Sequence, residues 1–156
     1  MLSKVIGGAA IAIRQIVPDD DAAAAGLSAE LGYPADSQEM RERIARVTGS
    51  DDEVVFVGCA EGKVIAWIDV CICHHLATGV YGEIAGFIVS DGYRSAGVGR
   101  KLIRQAEKWI AERGIDRVIV RSRTIREAAH RFYLREGYSQ TKTSAVFSKT
   151  LNAAEF

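Results

Sequence analysis

The sequence predicts an α/β fold, a mixed sheet with helices on both faces, from three features. Two adjacent segments, Glu53 to Ala60 and Lys63 to Cys73, are rich in β-branched and aromatic residues and are separated by Glu61-Gly62, which reads as a hairpin. Val98, Leu102, Ala106, Trp109 and Ile110 recur at helical spacing between Gly97 and Arg113. Beyond that helix, strand and helix patterns alternate, as in strand–helix–strand units.

Taken in order, Ile11 to Val17 is a first strand, stopped by Pro18. Asp19, Asp20 and Asp21 offer N-capping and dipole-complementing acids to an Ala-rich helix that reaches Leu31. Gly32-Tyr33-Pro34 breaks it. Asp36 with Glu39 resembles a capping box in front of a second helix, whose Met40, Ile44 and Val47 share one face and which ends at Gly49. The hairpin follows, then a strand over Gly82 to Ser90. After the amphipathic helix and its Gly114 stop come a strand at Asp116 to Ser122 and a helix at Ile125 to Glu136 closed by Gly137. Tyr138 to Thr141 and Ala145 to Leu151 read as a last pair of strands.

The 156 residues fit a single domain over 1–156, with its core at about 10–151. Apolar residues make up 48% and charged residues 26%, and twenty basic residues balance twenty acidic ones. That balance gives no electrostatic case for nucleic acid or an anionic membrane as a partner. No apolar run has the length of a membrane span. Met1 to Ala10 is too short and too weakly apolar for a signal peptide. Three cysteines, Cys59, Cys71 and Cys73, fit a reducing cytoplasm better than a disulfide framework. Cys71-Ile72-Cys73-His74-His75 can also be read as metal ligands. The paired spacings usual for zinc are absent, however, and no metal is expected.

The stretch richest in chemistry is Arg94-Ser95-Ala96-Gly97-Val98-Gly99-Arg100, between a strand and the amphipathic helix. A helix N-terminus presents unpaired amides and a partial positive charge, which suit a phosphate. Gly97 and Gly99 have no β-carbon to hold a phosphate away, and Arg94 and Arg100 can add charge-assisted contacts. Neither the P-loop pattern nor the dinucleotide Gly-x-Gly-x-x-Gly is present. A glycine-rich helix entry chosen only for its tight turn is the competing interpretation.

With Arg94-x-x-Gly97-x-Gly99, the strand Glu83 to Val89 and the segment Ala129-His130-Arg131-Phe132-Tyr133-Leu134-Arg135-Glu136-Gly137-Tyr138, the chain resembles the GNAT superfamily of acetyl-CoA-dependent N-acetyltransferases. Within that superfamily it is similar to bacterial aminoglycoside-acetyltransferase-like members. The resemblance implies a mostly antiparallel sheet of six to seven strands, about four helices on both faces, and a V-shaped cleft between strands 4 and 5. It implies acetyl-CoA as co-substrate, its pantetheine arm pairing with backbone around Ile88 and Val89. Its pyrophosphate would lie on amides of Ser95, Ala96, Gly97, Val98 and Gly99, with Arg94 and Arg100 nearby. The acceptor is a small-molecule or peptide amine, and the assembly a homodimer in the cytoplasm.

The same resemblance makes Tyr133 the general acid that protonates the leaving thiolate, and Glu83 the base or the anchor of a substrate ammonium. Asp69, His74, His75, His130 and ordered water are other acceptors for the amine proton. Tyr133 has an alternative role as a core aromatic beside Phe132. One position departs from the family: Arg126 stands seven residues before Tyr133, where many members carry an Asn that contacts the cofactor. A non-catalytic acyl-CoA-binding or regulatory module on the same fold also fits the glycine loop. So does a metal sensor built on Cys71, Cys73, His74 and His75, for the second motif. Acids from Asp19 to Glu39 sit on the first two helices, where a cationic amine would suit them, although N-capping accounts for most of them as well.

Overall fold

Four antiparallel strands run in sequence order across the molecule, and a fifth joins them in parallel. This computed structural model describes residues 10–94 and 96–156. The chain divides after Arg121 into two compact units. In the first, β1 (Ile11–Gln15) pairs with β2 (Glu53–Ala60), β2 with β3 (Lys63–His75), and β3 with β4 (Gly79–Val89), while β5 (Val118–Val120) runs beside β4. The helices α1 (Asp21–Leu31), α2 (Ser37–Thr48) and α3 (Val98–Ala111) complete this unit.

Local chemistry explains most of these boundaries. Glu61 and Gly62 both have positive φ, 51° and 77°, as a two-residue hairpin turn requires. Asp36 caps α2 by accepting the Glu39 amide at 2.7 Å. Met40, Ile44 and Val47 are buried, as their spacing predicts.

Of the three acids at the start of α1, Asp21 lies in the first turn and accepts the Ala22 amide at 2.8 Å, while all three also meet arginines. Asp20 is buried, takes Arg14 in a two-pronged pair at 2.7 and 2.9 Å, and accepts the Val17 amide at 2.9 Å. Arg14 beside it holds the Asp20 carboxyl below its ordinary range. Asp19 and Asp21 pair with Arg41 at 3.2 and 3.4 Å. These acids serve the packing of β1, α1 and α2, and they are already partnered by arginine.

The two faces of the sheet are covered differently. On one, α1 and α2 meet Val57 and Cys59 through Ala24, Ala25, Met40 and Ile44. On the other lies α3, with Val98, Leu102, Ile103, Ala106 and Ile110 all buried. Gly58 and Gly82 admit that helix closely: a β-carbon at Gly58 would stand 2.9 Å from Val98 Cγ1, and one at Gly82 would stand 2.8 Å from Ile110 Cγ2.

The second unit contains α4 (Glu127–Arg135), with Gly137 in the left-handed region after it at φ 92°. The expected strands at Tyr138 to Thr141 and Ala145 to Leu151 are not formed, so the described sheet has five strands against the six to seven expected. Propensity alone does not make a strand pair, which is marginal without a further strand beside it. Val146, Phe147 and Leu151 are exposed. No helix among the described residues is long and apolar enough to cross a membrane.

Candidate active site

β4 loses its parallel neighbour halfway along its length. β5 pairs only with Gly82, Glu83 and Ile84. At the same point β4 carries an extra residue, because Val70 lies opposite Ile84 while Asp69 lies opposite Gly86. The intervening Ala85 is exposed, and a bulge of this kind bends a strand and frees its backbone from the ladder. From Ala85 to Val89 no strand among the described residues pairs with the β5 side of β4. This parting is the cleft expected between strands 4 and 5.

Of the residues expected on that edge, Ile88 is buried opposite Trp67, and Val89 lies opposite Ala66. The chain then turns through Asp91–Tyr93 and enters α3 at Val98. Gly97 is the N-cap residue in the left-handed conformation, φ 81°. That φ, rather than a close protein neighbour, accounts for glycine here, since a β-carbon would meet nothing within 4 Å. An α-helix beginning at Val98 directs its first-turn amides, Val98 and Gly99 among them, out of its N-terminal end. Its first turn holds no acidic side chain to compete for them. Arg94 is engaged within the loop, its Nε donating to the Val89 carbonyl at 3.3 Å and Nη1 meeting Asp91 at 2.9 Å. Arg100 lies in the first turn of α3, and Ala96 donates its amide to the Tyr93 carbonyl at 3.3 Å. Ser95, expected to contribute an amide, falls outside the described residues.

Glu83 lies on β4 just before the parting. Its Oε1 accepts Arg121 Nε at 2.9 Å, and its Oε2 accepts the Cys73 thiol at 3.3 Å. Arg121 also reaches the Tyr81 hydroxyl at 3.4 Å, and Tyr81 is fully buried. Register puts Cys71 opposite Glu83 and Cys73 opposite Tyr81, so these side chains share the face of the sheet turned away from α3. Asp69 continues that face along β3. Its Oδ1 and the Trp67 Nε1 are buried without a hydrogen-bond partner, one acceptor and one donor two residues apart. Burial, helped by the neighbouring Glu53 carboxylate, pushes the Asp69 carboxyl up to about 7.

Arg121, Tyr81 and Glu53 were not among the residues singled out from the sequence. Their roles come from strand register, and only a charge that interrupts an apolar strand, as Asp69 does, is visible in advance. The histidines are placed elsewhere: His74 lies 3.8 Å from Asp52, His75 meets the edge of Tyr81, and His130 meets the Arg123 carbonyl at 2.9 Å.

In the second unit Tyr133 sits between the rings of Phe132 and Tyr138, at centroid distances of 5.5 and 5.9 Å. Burial raises its phenol pKa, with Arg126 opposing, so the hydroxyl keeps its proton well above neutral pH.

Known proteins share this architecture. A solved aminoglycoside 6'-N-acetyltransferase, AAC(6')-Iy in complex with a CoA-S-monomethyl-acetylneamine bisubstrate analogue, superposes with a TM-score of 0.80 over 91% of this chain and 99% of its own, at 18% identity. AAC(6')-Ih from Acinetobacter baumannii gives 0.79 over 92% and 100%, at 16% identity. A putative acetyltransferase from Agrobacterium tumefaciens gives 0.78 over 88% and 99%, at 23% identity. At such identities these likenesses establish the fold. In sequence, the chain is 33% identical over 81 residues to the aminoalkylphosphonate N-acetyltransferase of Salmonella typhimurium. That match takes in 51% of this chain and 53% of the other, so the chain spans about half the length of the curated relative it matches. The model of the acetyltransferase (GNAT) family matches residues 18–138, from the turn before α1 to the tyrosine after α4, and the chain belongs to that family.

Proposed function

We propose that this protein transfers an acetyl group from acetyl-CoA to a primary amine by direct attack in a ternary complex. The observation that carries the proposal is the open edge of β4. Ala85 to Val89 have lost the β5 partner, and the same stretch leads into the left-handed Gly97 and the start of α3. An extended pantetheine arm fits an unpaired strand edge, and a pyrophosphate fits a helix N-terminus without acids. Backbone N–H near Val89 would polarise the thioester carbonyl, where negative charge develops as the amine attacks.

Tyr133 is the proposed acid. Its raised pKa keeps it protonated, ready to give its proton to the departing thiolate. Glu83 is the proposed acceptor of the amine proton, directly or through one water. Arg121 engages Oε1, so Oε2, which accepts the Cys73 thiol at 3.3 Å, is the oxygen for that task. Asp69 carries a second reading of the base: its unpartnered Oδ1 and a pKa near neutrality suit reversible proton uptake. Glu53, Asp69 and Glu83 together make this face acidic, which suits a cationic acceptor. A homodimer in the cytoplasm belongs to the same proposal, and light scattering of the purified chain tests the dimer.

The central test is acetylation of a panel of polyamines, aminoglycosides, aminoalkylphosphonates and peptide N-termini, read by mass spectrometry. Tyr133→Phe removes the proton and keeps the ring, so turnover should fall by roughly 10²-fold with little change in acetyl-CoA affinity. Unchanged turnover, with chemistry rate-limiting, would return Tyr133 to a packing role. Acetyl-CoA binding without acetylation of any amine would favour a non-catalytic module.

A further inference from the structure

Two thiols and a carboxylate converge on the face of β3 and β4 turned away from α3. Cys71 and Cys73 project from the same side of β3, and Glu83 faces them across the ladder. The two Sγ atoms are 3.8 Å apart, Cys73 Sγ is 3.3 Å from Glu83 Oε2, and all three donor atoms lie within 4.8 Å of one another. A tetrahedral zinc ion, with bonds of about 2.3 Å to sulfur and about 2.1 Å to oxygen, needs S···S edges of roughly 3.8 Å and S···O edges of roughly 3.6 Å. Two of the three edges are therefore close to the required length before any ion arrives.

Charge and orientation point the same way. Two thiolates and one carboxylate carry three negative charges, and a divalent cation with Arg121 balances them. Arg121 Nε holds Glu83 Oε1, which leaves Oε2 turned to the thiols, the arrangement by which an outer partner orients a metal ligand. A pair of thiolates selects soft or borderline cations over magnesium or calcium. The ligand set differs from the one suggested by the Cys71-to-His75 run. His74 lies by Asp52 and His75 by Tyr81, and the third ligand comes from the neighbouring strand.

We propose that Cys71, Cys73 and Glu83 bind one Zn2+ ion, with a fourth position open to water, and that the bound ion blocks acetyl transfer by occupying Glu83 Oε2. The blocking half rests on the role given to Glu83 above; the binding half does not. The exchange balances as Zn2+ plus two thiols giving the dithiolate complex and two released protons, with no change of oxidation state. The ion is an inhibitor here, outside the chemistry of acetyl transfer. Without the ion, burial first, and then Cys73 and Glu83, push the Cys71 thiol up to about 12, so binding must displace its proton.

The full chain, reduced with a phosphine, is titrated with Zn2+ by calorimetry and with Cd2+ by the ultraviolet thiolate-to-metal charge-transfer band. One equivalent should bind. Cys71→Ser and Cys73→Ser should each weaken binding at least tenfold, and the double variant should lose the charge-transfer band, with unchanged circular dichroism. If Cys71→Ser does not fold, Cys73→Ala takes its place, since Cys73 is the more accessible thiol. Absence of stoichiometric binding, or a folded double variant that binds like the wild type, overturns the site. Stoichiometric Zn2+ should also suppress formation of the acetylated amine in the wild type, reversibly with a chelator, while the double variant resists. Binding without inhibition overturns the blocking half and the role of Glu83 as base. Absence of acetylation in metal-free protein overturns the proposed function and leaves the binding measurement intact.

Discussion

The two faces of β3 and β4 are made from alternate residues of the same strands, and they solve opposite problems. Toward α3 point Ile68, Val70, Gly82 and Ile84, none of them polar, and Gly82 lies close against Ile110. Away from α3 point Asp69, Cys71, Cys73, Tyr81 and Glu83, where carboxylates and thiols gather and Asp69 Oδ1 has no partner. Burying apolar area stabilises the first face, at about 25 cal/mol per Å². The second carries groups whose burial costs free energy unless something pairs with them. A protein retains such a surface for chemistry, not for stability.

The largest expected effect lies on the apolar face. Leu102→Ala should destabilise the fold by about 2–5 kcal/mol in denaturant titrations, because the side chain is completely buried and the void cannot fully collapse. A loss below about 1 kcal/mol would show that α3 is not the closing layer. Next comes Glu83→Gln on the polar face, with turnover lower by roughly 10²-fold and stability nearly unchanged, since its arginine partner is half exposed. If Glu83 anchors a substrate ammonium instead, KM rises and kcat is mostly kept. Full activity together with a large stability loss would erase the distinction between the faces.

Gly82→Ala should cost about 1–3 kcal/mol, because the new methyl group meets Cγ1, Cγ2 and Cδ1 of Ile110 together and α3 must shift to admit it. Asp69→Asn has the opposite sign. In the folded chain Asp69 titrates near 7, above its ordinary value of 3.8, so the folded form holds the proton more tightly than the unfolded one. Its stabilising contribution is therefore full below about 4 and is lost as pH rises toward 7. Asn mimics the protonated form at every pH. The variant should match the wild type only below about pH 4 and gain on it steadily as pH rises to 8, read as thermal midpoints. Equal midpoints at pH 8 would mean that Asp69 is solvated.

Legibility followed the range of the forces involved. The capping of α2 by Asp36, the turn at Glu61-Gly62 and the buried face of α3 were readable because each depends on residues within a few positions of one another. The glycine entry to α3 was readable for the same reason. The ion pairs of Asp19 to Asp21 were not readable, because their partners, Arg14 and Arg41, are brought to them by packing. The last two strands misled because alternation and β-propensity do not supply a neighbouring strand.

The amino-acid order by itself determined the helices, the hairpin, the glycine entry to α3 and the family, since periodicity, turn chemistry and short motifs are local. Tertiary structure alone decided where β5 leaves β4, and that Arg121 and the Cys73 thiol both meet Glu83. It also decided that Asp69 is buried beside Glu53. Those facts depend on register between strands, and a shift of one residue would send every one of these side chains to the other face.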